Sequence, residues 1–371
     1  MTIARTKNDV STPRFVEFDI LRFLAAFVVV CYHFGAPNVI GTFDGSRVAT
    51  LVQSATQLGY LGVNVFFIIS GFVILASASG KSAIDFAISR FCRLFPTYWV
   101  CLLLTAAALV AVGAVVTTPE FFVQVLVNAT MLNNYVDVDS VDGVYWTLHV
   151  ELKFYALVFL LCLVGWVDRV RWWSSVWLAI VLIHAATGYP RQLGWIISPS
   201  YSAYFIAGIG YFLVASRRDT AWGVALLTIT IPMTVWHAIG QSRDFYPLDP
   251  DTARIAAPTV IALVHLTLIA LVAFGGRMRA SRSLFVLGGL TYPVYLLHNQ
   301  AGKAVTDALS AQGMSLAASM TLVLVTVFVL SFLVHRYIDA RLASQWRRFL
   351  VTRLGSQRQA RRSARDTAIA D

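Results

Sequence analysis

Apolar residues in this chain do not alternate with polar ones; they run together in long blocks separated by short, polar, often basic segments. A helix that crosses a bilayer needs about 20 mostly apolar residues. On that scale the blocks predict spans near 16–35, 59–79, 97–117, 146–167, 173–187, 199–215, 221–239, 254–275, 284–305 and 315–335. The fifth and sixth are short, and the ninth is interrupted by Gly288, Gly289 and Pro293. The stretch 119–134 is too short and too mixed to cross, and it predicts a re-entrant or interfacial helix. The pattern is that of an all-α integral membrane protein with about ten transmembrane helices.

Composition agrees. Of 371 residues, 58% are hydrophobic and 13% charged, whereas soluble domains carry roughly 25% charged residues. So little charge does not cover so much apolar surface in water. The net charge of +10 matters through its placement, because cytoplasmic loops hold the Lys and Arg excess. With the N-terminus inside, the inner segments hold Arg5, Lys7 and Arg14, then Lys81, Arg90 and Arg93. Further inner residues are Arg169, Arg171, Arg217, Arg218, Arg277, Arg279, Arg282 and the arginines from Arg336 to Arg365. Outside fall Arg47, Arg191, Arg243, Arg254 and Lys303, with the acidic Asp137, Asp139 and Asp142. Both termini are therefore read as cytoplasmic, in a multi-pass protein of the cell's inner (plasma) membrane. Basic residues spread between apolar blocks, rather than gathered on one soluble face, exclude a nucleic-acid binder.

This divides the chain into a cytoplasmic segment at 1–14, one membrane domain at 15–342 without internal repeat, and a basic, disordered cytoplasmic tail at 343–371. Cys31, Cys92, Cys101 and Cys162 have neither paired spacing nor histidine partners, so neither a disulfide framework nor a metal site is implied. The first apolar block follows a polar, basic start and carries Asp19, Arg22 and His33, which marks a retained helix rather than a cleaved leader.

Ionisable side chains within a span are costly and face a cavity or a partner. In the first block, Asp19 and Arg22 are three apart and share a face. His33 returns to nearly that face about 16 Å further along. Spacing alone leaves two readings: a functional stripe, or an interfacial ion pair with a histidine that ends the helix. In the fourth block Glu151 lies inside the outer boundary with Tyr155 four residues on. His149 and Lys153 occupy another face, and Lys153 can snorkel outward. A short carboxylate such as Glu151 needs a partner or a neutral state. Arg90 and Arg93 precede the third block on the inner side, where they suit either a phosphate or ordinary topology signalling. His298 falls in the outer half of the ninth block, a place where a lone histidine is more often structural than catalytic.

Together these stretches resemble the membrane acyltransferase-3 family, which includes bacterial sugar and polysaccharide O-acetyltransferases and macrolide acyltransferases. FDILRFLAAFVVVCYH resembles the family's first helix and puts Arg22 and His33 on its functional positions. GVNVFFIISGFVI resembles its second helix, with Asn64 where an aspartate is common. SRFCRLFPTYW carries its Arg-x-x-Arg, WTLHVELKFY its glutamate signature, and LGGLTYPVYLLHNQ its late Tyr/His element, with Gln300 in place of a frequent proline. RYIDARL puts Asp339 at a usually acidic position. The resemblance spans about residues 15–342.

It implies an enzyme that moves an acyl group, acetyl foremost, from cytoplasmic acyl-CoA to a hydroxyl of an exported or cell-surface glycan, with no permanently bound cofactor. A macrolide or other secondary-metabolite sugar is the alternative acceptor. Arg90 and Arg93 are expected to hold the CoA phosphates, with Arg22 on the path. His33 is expected to act as general base or acyl carrier, oriented by Glu151 as in a catalytic triad. Asp19, Tyr155 and His298 are further candidates. The competing class is a transporter or flippase, which buried charges and a Gly/Pro-broken span also suit. Acyl-chain length, acceptor and oligomeric state are not legible in the sequence.

Overall fold

The computed structural model describes residues 16–35, 47–188, 192–245, 250–275 and 282–352. The expectations for 1–14, Arg191, Arg277, Arg279 and the tail from 353 lie outside the described residues. Every described element is helical. In chain order the helices are α1 (Val16–Phe34), α2 (Arg47–Thr56), α3 (Gly62–Ala78), α4 (Ala83–Ala111), α5 (Pro119–Asn128), α6 (Trp146–Leu163) and α7 (Val170–Thr187). They continue with α8 (Pro199–Ala215), α9 (Thr220–Phe245), α10 (Pro250–Phe274), α11 (Arg282–Leu297), α12 (Gln300–Ala311) and α13 (Leu316–Val334). A π-helical segment, His335–Leu342, extends α13 and runs on as helix to 352.

Seven described segments are long and apolar enough to cross a membrane: Val52–Ala78, Ala83–Ala111, Gly143–Leu163, Val170–Thr187, Thr220–Phe245, Asp251–Phe274 and Leu316–Thr352. The other expected spans are helices too. However, α1 carries Glu17, Asp19 and Arg22 near its start, and α8 and α11 have 17 and 16 residues. Large apolar side chains such as Trp172, Val176, Ile255, Leu266, Val325 and Val329 point outward. In a multi-pass membrane protein, that face is the one lipid wets.

Two expected boundaries move. The third span begins at Ala83, because Ser82 caps the helix by accepting the Asp85 N–H at 3.1 Å. Arg90 and Arg93 thus lie within α4, not before it. A 29-residue helix is about 43 Å long, against a hydrocarbon core of about 30 Å, so its first turns reach past the apolar layer. The ninth span is two helices: α11 stops at Leu297, His298 and Asn299 form a break, and α12 starts at Gln300. The 119–134 stretch becomes α5 followed by a 3-10 turn at Asn133–Tyr135. Within it, the amide nitrogen of Asn128 is committed to the Gln124 and Asp139 carbonyls and the residue is fully buried.

The bundle closes around α1, α3, α4, α6 and α11, with α13 along one side; α7, α9 and α10 pack behind α8. The tightest crossing is α3 on α8. A Cβ on Gly71 would lie 2.1 Å from the Phe205 carbonyl, and one on Gly208 would lie 2.0 Å from that of Ile68. The absence of side chains at these two positions lets the backbones touch, the small-residue packing that replaces hydrophobic drive in lipid.

Candidate functional site

A cavity of about 510 Å³ opens between α1, α3, α4, α6, α11 and the π segment. It gathers Asp19, Arg22, Arg90, Arg93, Glu151 and Tyr155, six of the residues singled out from the sequence. The expected Asp19–Arg22 ion pair is not made. Arg22 has no hydrogen bond or salt bridge among the described residues, and it shares the cavity wall with Arg93, Glu151, Tyr155 and Asp19. Glu151 Oε1 accepts from Tyr155 Oη at 2.6 Å and from Ser70 Oγ at 2.7 Å. Arg90 lies 5.9 Å above the Tyr155 ring and donates to Ser89 Oγ; its Nε is buried without a partner.

Arg93 is engaged instead. Its Nη1 donates to both carboxylate oxygens of Asp339 at 2.9 and 2.8 Å. Asp339 Oδ2 also lies 3.0 Å from His335 Nδ1, one turn earlier. The π segment brings these residues into line, as such bulges do at functional sites. His335 fits because α11 has Gly289 opposite it: a Cβ there would sit 2.0 Å from the imidazole Cε1.

His33 and His298 are elsewhere, at the other end of α1. His298 Nε2 lies 3.0 Å from His33 Nδ1. His298 Nδ1 lies 2.8 Å from the Tyr295 carbonyl and 3.2 Å from that of Val294. Carbonyls only accept, so the His298 proton is on Nδ1 and its Nε2 is an acceptor. The proton between the rings then belongs to His33 Nδ1, which also reaches the Val29 carbonyl at 3.0 Å. His33 Nε2 is left with a bare lone pair and no hydrogen bond among the described residues. This corrects the expected His33–Glu151 pairing: the imidazole is oriented by a second, fully buried imidazole, and Glu151 serves the cavity. Tyr295 joins the two regions. It lines the cavity, packs 5.7 Å from the His298 ring and bonds Thr147 Oγ1 at 3.0 Å.

The break that presents His298 is held by Asp142, a residue read from sequence only as loop charge. Its Oδ1 accepts from Asn299 Nδ2 at 2.7 Å and from the Val144 N–H at 3.1 Å, and its Oδ2 accepts the Gln300 N–H at 2.8 Å. Burial lifts the Asp142 carboxyl above the ordinary range; these bonds and the Lys303 charge oppose the rise. His149 and Lys153 are spent on structure. The former bonds Asn133 and Asn134, the latter the Gly194 carbonyl and Ser198. Asn64 also stays off the cavity, where it donates to Gln241 at 2.7 Å and ties α3 to α9. Ser70, His335, Tyr295 and Asp142 had no sequence signal of their own, although Ser70 and Tyr295 stand inside the quoted motifs.

Fold and site thus define a multi-pass membrane protein with a charge-lined internal cavity and, across Tyr295 from it, a histidine pair. The chain belongs to the acyltransferase-3 family: the family's acyltransferase domain matches residues 15–336. It is therefore a membrane acyltransferase. It is 27% identical over 323 residues to Nodulation protein 10 of Rhizobium leguminosarum bv. viciae, covering 78% of this chain and 84% of that protein. To the exopolysaccharide production protein ExoZ of Rhizobium meliloti it is 26% identical, covering 71% of this chain and 83% of the relative. To acyltransferase MdmB of Streptomyces mycarofaciens it is 25% identical, covering 75% and 76%. No solved structure matches the chain.

Proposed function

We propose that the protein transfers an acyl group, acetyl foremost, from acyl-CoA to a hydroxyl of an exported or cell-surface glycan at the plasma membrane. The observation that carries this is the inner cavity lined by two guanidinium groups without an ion pair among the described residues, Arg22 and Arg90, and by Tyr295, which packs on His298 of the His298–His33 pair. A thioester with an anionic head and a long neutral arm suits such a channel. The head stays with Arg90 at the cytoplasmic end, and the arm extends past Arg93, Arg22 and Glu151. A relative named for exopolysaccharide production supports a glycan acceptor, and one named simply as an acyltransferase supports the chemistry.

In this reading His33 Nε2 takes the proton of the acceptor hydroxyl as its oxygen attacks the thioester carbonyl. The tetrahedral adduct collapses, the C–S bond breaks, and the CoA thiolate takes the proton back from His33. His298 fixes the His33 tautomer and receives part of the imidazolium charge through the shared proton. Glu151, held by Tyr155 and Ser70, balances Arg22 along the arm. The test is CoA release from acetyl-CoA by detergent-purified protein with a panel of glycans, wild type beside His33→Ala. Acceptor-stimulated release that the variant loses supports the reading; no release from folded wild type with donors of several chain lengths overturns it and favours a transport role for the cavity.

A further inference from the structure

A second, more open cavity of about 730 Å³ lies beyond Arg90 and Arg93 and is flanked on its other side by the helix that continues the π segment. That helix adds Ser344, Arg347 and Arg348 to its wall. Among the described lining residues the only carboxylate is Asp339, which Arg93 and His335 already occupy. Arg90, Arg347 and Arg348 form no ion pair with any described residue. Three uncompensated guanidinium groups around one hollow repel each other, and a multiply charged anion relieves that repulsion with bidentate, charge-assisted bonds. Both new arginines lie past residue 336, where the family match ends.

We propose that Arg347 and Arg348, with Arg90, form a nucleotide-phosphate subsite that grips the 3′-phosphate and diphosphate end of the acyl-CoA donor. This rests on the acyl-CoA reading above. Arg93 belongs to the partition between the two cavities, pinned by Asp339, so the pantetheine arm enters the inner cavity beside it. The basic tail is thereby a donor-binding element and not only a topology signal. A lipid headgroup offers the same phosphate chemistry, and the test separates the two sources.

The experiment uses full-length protein in nanodiscs of phosphatidylcholine alone, with acetyl-CoA and acetyl-3′-dephospho-CoA as donors. Binding of adenosine 3′,5′-bisphosphate is measured alongside. Wild type prefers acetyl-CoA. Arg347→Gln/Arg348→Gln raises the acetyl-CoA KM about tenfold or more, the size of one lost charged hydrogen bond. It also erases the preference over the dephospho donor, weakens bisphosphate binding in parallel and leaves kcat unchanged. Both side chains are exposed, so the substitutions spare packing. Ser344→Asp, which sets a carboxylate on the same wall, moves KM in the same direction. Donor preference and bisphosphate affinity unchanged in both variants, with acetyl-CoA still turned over, overturn the subsite and leave the acyltransferase reading intact. The same holds if a defect appears only when phosphatidylglycerol is added, which assigns the arginines to lipid. A wild type that cleaves neither thioester fails the acyl-CoA reading itself.

Discussion

At the N-terminal half of α1, Arg22 faces a cavity of about 510 Å³ and has no bonded carboxylate. Eleven residues on, His33 sits in a network in which His298 and Asp142 have partners on every nitrogen and oxygen that matters. Buried cations left unpaired beside open volume are costly unless a ligand compensates them. A satisfied polar network is rigid and holds its groups in one geometry before any ligand arrives. One region is therefore built to receive and the other to act, with Tyr295 between them. The difference predicts that variants divide cleanly: changes at the cavity move donor KM, and changes at the histidines move kcat.

The largest effects are expected at the histidine pair. His33→Ala removes the base and lowers kcat about 10³-fold. His298→Ala leaves His33 Nδ1 bonded only to the Val29 carbonyl, frees the ring to rotate and lowers kcat about 10²-fold. Donor KM stays put in both, as steady-state kinetics of CoA release will show. A matching rise in KM would merge the two regions into one.

Asp142 comes next. Asp142→Asn keeps the volume but substitutes an N–H donor for one acceptor oxygen, which then faces either the Gln300 N–H or the Asn299 amide. An orphaned buried donor costs about 2 kcal/mol, and thermal unfolding in detergent measures it. The loss should appear in kcat as well, because the break at His298 loosens. Unchanged melting with unchanged kcat would mean that the break holds itself without the carboxylate.

At the cavity end, Gly289→Ala forces a Cβ into the His335 ring. The ring must swing away from Asp339, which is then held by Arg93 alone and fixes it less firmly. A steric insertion of this kind is worth about 2 kcal/mol, or about thirtyfold in donor KM, with kcat held. A loss of kcat instead would put His335 in the chemistry.

The bundle was legible because hydropathy is a local property: α8 runs from Pro199 to Ala215, the span read from the apolar block. The start of α4 was missed, because the apolar block alone begins at 97 while the helix is set by its cap, Ser82 accepting the Asp85 N–H. The cavity residues were found through the rule that buried charge needs a reason. The pairings were not found. Asp142 meets Asn299 across 157 positions, and Arg93 meets Asp339 across 246. No pattern in either segment announces the other. The π segment was hidden for a different reason, since RYIDARL has ordinary helical spacing and its register shift is set by packing on α4 and α11.

Ser70 gives the finest test of the division. Its hydroxyl is one of two donors to the same oxygen of Glu151, and Ser70→Ala leaves Tyr155 as the other. One such bond is worth about 1 kcal/mol, so the expected change is about fivefold. If Glu151 serves Arg22 and the donor arm, the change falls on donor KM. The sequence pattern assigned Glu151 to His33, and that assignment makes the opposite forecast: kcat falls fivefold and KM is untouched. Kinetics of Ser70→Ala beside Tyr155→Phe, which removes the second donor, decide between the two. A KM effect that grows in the double variant keeps the carboxylate in the receiving region, whereas a kcat effect in either single variant moves it across the Tyr295 boundary to the histidines.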